Sequence, residues 1–97
     1  MRLKPNCAEE YQQRHNDIWP ELTEVMTAQG VRTYSIFRSG LVLLAYMERQ
    51  QPPPAGAAHP VIRQWWHSMQ PLMFCNEDGS PLREDLHEVF HFEPRER

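Results

Sequence analysis

Three consecutive prolines, Pro52, Pro53 and Pro54, interrupt the chain near its middle. Each lacks a backbone N–H and has its φ fixed by the ring, so neither a helix nor a central strand can pass through them. The segment from Gln50 to Ala58 is therefore expected to be a loop of polyproline II character. Regular structure has to be built separately on either side. In a chain of 97 residues such a loop is too short and too central to divide two domains. Residues 1–97 are read as one domain, with a polar tail over 93–97.

Before the loop, Ala8, Tyr11, Ile18, Trp19, Leu22, Val25 and Met26 recur at the three-and-four spacing of an amphipathic helix. Asn6 with Glu9 three residues on resembles a capping box, and Gly30 suits the C-terminal stop. Pro20 falls inside the stretch and removes one donor, so the helix should kink or restart near Asn16-Asp17. Val31 to Phe37 and Leu41 to Met47 are rich in β-branched, aromatic and other apolar residues, and read as a hairpin turning at Arg38-Ser39-Gly40.

After the loop, Pro60 occupies a first helical position, and Val61, Ile62, Trp65, Met69, Leu72 and Met73 trace a second apolar stripe. Asn76 to Pro81 is dense in turn residues, and Glu88 to Phe92 reads as a closing strand. With Met1 to Lys4 as the stub of a shortened first strand, the order becomes βαββαβ. That is an α+β, ferredoxin-like arrangement whose helices cover one sheet face and leave the other for water, a ligand or a second sheet.

Charge removes several function classes. Ten Lys and Arg against thirteen Asp and Glu give a net charge of −3, which offers no footprint for a phosphate backbone. No apolar run approaches the roughly 20 residues that span a bilayer, and the polar start has no signal-peptide core, so a cytoplasmic protein is expected. Cys7 and Cys75 have no CxxC spacing and are read as reduced thiols. A core this small gains from association, which favours a homodimer.

Few residues offer chemistry. His15 lies four residues after Tyr11 and four before Trp19, one turn each way, which makes an aromatic stripe with a titratable centre. Trp65 and Trp66 are neighbours and point about 100° apart on a helix, so both cannot face the same core. Tyr34 shares a strand face with Arg32 and Ile36 and needs a partner for its phenol if buried. His87 and His91, read on a strand, stand roughly 13 Å apart, too far to share a zinc ion. No metal site is expected.

The run Glu9 to Leu22, EEYQQRHNDIWPEL, closely resembles the first-helix signature of the L-rhamnose mutarotases. Tyr34-Ser35-Ile36, Trp65-Trp66, Asn76 to Pro81 and Leu86 to Phe90 match further in the same order. The resemblance implies a dimeric α/β barrel of two ferredoxin-like protomers. It also implies a cofactor-free isomerase that interconverts the α and β anomers of L-rhamnose. Carried over by position, the proton donor falls on His15 and the sugar-binding residues on Tyr11, Tyr34, Trp65 and Trp66.

An imidazole with an ordinary pKa near ~6.5 can give and recover a proton at neutral pH, as reversible ring opening of a pyranose requires. A flat indole suits the sugar's C–H face, and phenol hydroxyls suit its polar rim. Two other readings remain. One is a non-catalytic sugar-binding or regulatory dimer with this fold, and the other is a haem- or quinol-handling oxygenase, a class similarly built on dimeric α/β barrels.

Overall fold

A computed structural model describes residues 1–95. Five elements follow in order: α1 (Ala8–Asn16), α2 (Pro20–Ala28), β1 (Val31–Ser39), β2 (Val42–Arg49) and α3 (Pro60–Met69). The strands form an antiparallel hairpin, so the fold is α+β. Among the described residues, no helix is long and apolar enough to cross a membrane.

The expected helix restart is present. α1 stops at Asn16, and Pro20 opens α2 where its missing N–H would have had no partner in any case. α2 ends at Ala28, and Gly30 follows at φ 87°, a left-handed conformation that glycine adopts without strain. A Cβ at Gly30 would also sit 2.5 Å from Gln51 Cγ. The expected cap is corrected: Cys7 holds the cap position of α1 with no side-chain hydrogen bond, while Asn6 sits at φ 63° in the preceding turn. Asparagine tolerates that left-handed turn conformation, and Asn6 serves the turn rather than the helix.

Alternation divides the hairpin into two faces. Ile36 and the fully buried Leu43 face the helices, packing with Tyr11, Leu22, Trp65 and Met69. Phe37 stands opposite Leu44 on the other face, with Tyr46 beside them. That second face is open: Phe37 is 61% and Tyr46 57% exposed.

Two expectations at the C-terminal half are overturned. Leu72 and Met73 do not continue α3, which ends at Met69; Pro71 follows closely and cannot extend it. Met73 instead bridges Leu3, and Arg2 bridges Val42. The Lys4 N–H donates to the Leu72 carbonyl at 2.8 Å and the Phe74 N–H to the Arg2 carbonyl at 3.1 Å. The N-terminal stub is thus held between β2 and the segment around Met73, and Leu3 is completely buried. The closing strand expected over Glu88 to Phe92 is absent. Residues in that stretch belong to no strand, and Val89 is 94% and Phe90 80% exposed. The place beside the stub is taken by Met73, and Cys75 bridges Pro81 just beyond it. Of the polar tail, Glu96 and Arg97 lie outside the described residues.

Leu3 links the stub to the whole core, and its truncation leaves a cavity that backbone on both sides cannot close. Leu3→Ala is expected to lower unfolding free energy by about 2–5 kcal/mol in urea denaturation. A loss below about 1 kcal/mol would contradict this placement of the stub.

Candidate functional site

Tyr11 and His15 lie one turn apart on α1, so their side chains share a face. Their rings are 4.2 Å apart and tilted by 34°. Trp65, on α3, meets the His15 ring edge-to-face at 5.2 Å and 85°. Trp19 meets the same indole at 5.1 Å and 88°. Such perpendicular contacts set the positive edge of one ring against the negative face of another. The two helices are also joined by Arg14, which donates to the Ser68 carbonyl near the end of α3 and to Glu10 at 2.7 Å. A carbonyl in the last turn lacks a helical partner, so a cation suits it.

The His15 tautomer follows from its backbone contact. Nδ1 lies 2.9 Å from the Tyr11 carbonyl oxygen, which can only accept, so Nδ1 carries the proton. Nε2 is then the bare acceptor of the neutral ring. Burial disfavours the charged ring and lowers its pKa, against the smaller opposing pull of that carbonyl. The resting side chain at neutral pH is an uncharged base with its lone pair on Nε2.

The two phenols behave oppositely to a base. Burial raises the Tyr11 pKa, with the nearby Tyr34 adding to the effect. Loss of solvent around the Tyr34 phenol raises its pKa as well, opposed by the charge of Arg83. Both hydroxyls therefore stay protonated and can donate hydrogen bonds. Tyr34 remains 40% exposed, so it is reachable from outside.

The expected residues thus divide. Tyr11, His15 and Trp65 form one cluster, and Tyr34 reaches it from β1. Trp66 projects about 100° from Trp65 around α3 and packs half-buried against the core. Trp65 itself is buried and braced by two rings, so of the pair Trp66 is the more available. Trp19, read from the sequence as one end of the Tyr11–His15 stripe, meets Trp65, and Arg83, which had no sequence signal, acts on the Tyr34 phenol. His91 approaches Glu88 and Glu93 at 3.4 Å each, and no metal-ligand cluster occurs among the described residues. A cleft of about 320 Å³ opens between α1 and α3 beside Trp19 and Trp65. A broader groove of about 530 Å³, lined by Arg63, His67 and Asp78, lies on the opposite flank of α3 and shares no residue with the cluster.

A family-level sequence profile described as L-rhamnose mutarotase matches residues 1–92. An L-rhamnose mutarotase of Leptothrix cholodnii is 43% identical over 100 residues, covering 96% of this chain and 92% of its own. One of Escherichia coli K12 is 38% identical over 95 residues, covering 94% of this chain and 91% of its own. The crystal structure of an L-rhamnose mutarotase from Formosa agariphila superposes with a TM-score of 0.84 at 33% identity, over 96% of this chain and 93% of that one.

The tautomer and the lowered pKa are both measurable. Nitrogen-15 NMR is expected to show His15 protonated at Nδ1 and titrating below the ordinary 6.5. Because the unfolded chain then takes up the proton more readily, the His15 contribution to stability is full above about 6.5 and falls as pH drops below it. His15→Gln should remove that slope. A proton on Nε2, or titration above 6.5, would contradict the geometry.

Proposed function

The chain belongs to the L-rhamnose mutarotase family, and on that premise we propose that it interconverts the α and β anomers of L-rhamnose with His15 as the group that moves the proton. It is an isomerase. The observation that carries the residue assignment is the His15 Nδ1 contact with the Tyr11 carbonyl, which leaves Nε2 as a base.

Opening the pyranose transfers one proton from the anomeric hydroxyl O1 to the ring oxygen and breaks the bond from C1 to that oxygen. Both oxygens are attached to C1, so a single nitrogen facing C1 can serve both. Nε2 takes the O1 proton, and the imidazolium so formed gives it to the ring oxygen as the ring opens to the aldehyde. Rotation about C1–C2 and the reverse transfers close the ring on its other face. No carbon–hydrogen bond breaks, so proton transfer and orientation suffice. Tyr11 and Tyr34, kept protonated, donate hydrogen bonds to sugar oxygens, and an indole, Trp66 for preference, covers the apolar face with the C6 methyl. General acid–base help of this kind supplies roughly 10²–10⁴-fold, or about 3–5 kcal/mol.

The reading extends to a homodimer of ferredoxin-like protomers with their sheets facing. Three observations support it. The accessible surface of 8040 Å² exceeds the roughly 5,800 Å² normal for a folded monomer of this mass. The radius of gyration, 15.1 Å, likewise exceeds the expected value of about 12.5 Å. The excess lies in the open sheet face of Phe37, Leu44 and Tyr46 and in the apolar arm of Leu86, Val89, Phe90 and Phe92. Both are covered if two copies pair sheet to sheet and the arms lie on the partner.

His15→Asn is expected to lower the protein-dependent rate of anomer exchange at least about tenfold, read by saturation-transfer NMR on L-rhamnose, with KM little changed. Wild-type turnover in the folded variant would remove His15 from the reaction. Sedimentation is expected to give a dimer for the wild type and a monomer for Leu44→Asp, since a charge at the centre of an apolar sheet interface is desolvated without a partner. A monomeric wild type would overturn the sheet pairing.

A further inference from the structure

We propose that Trp19 is a positioning residue for His15, acting through Trp65. This rests on the reading that His15 moves the proton.

Trp19 holds two elements at once. Its carbonyl accepts the N–H groups of Leu22 at 3.0 Å and Thr23 at 3.3 Å, which begins α2, while its ring stands on Trp65 of α3. The residue before a proline is driven out of helical conformation, and Trp19 has φ −65° and ψ 129°. That break turns the chain after α1. Trp19 is thereby fixed by backbone on one side and by an edge-to-face contact on the other.

His15 has few constraints. Tyr11 supplies the ring at 4.2 Å and the carbonyl at Nδ1, both from one turn back on the same helix. The ring contact from outside α1 is Trp65. Rotation of the imidazole about its own bonds, and hence the aim of Nε2, is limited by where the Trp65 indole stands. Trp65 is held in turn by Trp19. Reaction rates respond steeply to misplacement of a reacting atom, whereas sugar affinity depends on groups that touch the sugar. Loosening Trp65 should therefore appear in kcat and not in KM, and it should admit water around the imidazole.

Trp19→Leu and Trp19→Phe test this, assayed with wild type and His15→Asn by saturation-transfer NMR on L-rhamnose, with the His15 ring proton titrated in each. Trp19→Leu is expected to lower kcat at least about fivefold with KM within about twofold, and to move the His15 titration up toward its ordinary value. Trp19→Phe keeps an aromatic edge and should fold, with a kcat loss of about threefold and a smaller shift in the same direction. Unchanged kcat with an unmoved titration in either folded variant overturns the proposal, since Trp19 is then packing alone. Raised KM at constant kcat also overturns it, placing Trp19 on the sugar. An inert wild type, or full turnover in His15→Asn, takes down the underlying reading and is seen without any Trp19 variant.

Discussion

The arrangement turns on the edge of one buried indole. Trp65 stands against His15 and Trp19 together, so it ties the first helix, the restarted second helix and the third into one unit. Around it pack Leu22, Met69 and Leu3, and through Leu3 the N-terminal stub and the hairpin. Arg14 closes the same joint from the polar side by donating to the Ser68 carbonyl. Dispersion and ring electrostatics supply most of this contact, and neither tolerates displacement of more than a fraction of an ångström. A site on such a joint inherits its rigidity.

Burial at the joint also sets the chemistry. It reinforces the neutral form of His15 and of both phenols, so one base and two donors are ready at the same pH. A proton relay between two oxygens on one carbon needs little more. The apolar surface left open elsewhere follows from chain size: a core built on so few residues cannot cover the second sheet face or the arm beyond Leu82. In the proposed dimer, association would cover this surface, while Tyr11, His15, Tyr34 and Trp65 come from helices and strand of a single chain.

Punctuation was the most legible feature of the sequence. Pro20, Gly30 and Pro60 marked helix boundaries because each imposes a backbone constraint that tertiary contacts seldom override. The hairpin was legible for a similar reason, since its apolar residues stand in two runs on either side of Gly40. What failed depended on partners. Val89, Phe90 and Phe92 carry a sound strand signal, yet the place beside the N-terminal stub is taken by Met73. Leu72 and Met73 continue the helical spacing, and only Pro71 showed that the helix could not reach them. The stacking of Tyr11 on His15 was readable in the EEYQQRHNDIWPEL run, but the bracing of Trp65 by Trp19 was not. It needs the turn at Pro20 and the approach of α3, which spacing along one helix does not encode.

In the proposed reaction His15 begins as a neutral base. The measurement closest to it is the pH dependence of kcat/KM for protein-driven anomer exchange on L-rhamnose between about pH 5 and 8, with the spontaneous rate subtracted. A plateau at neutral pH that falls on acidification, with its inflection at the His15 titration below 6.5, is the predicted result. A profile that rises on acidification through that titration, or ignores it, would mean that the imidazole enters the reaction as an acid or not at all.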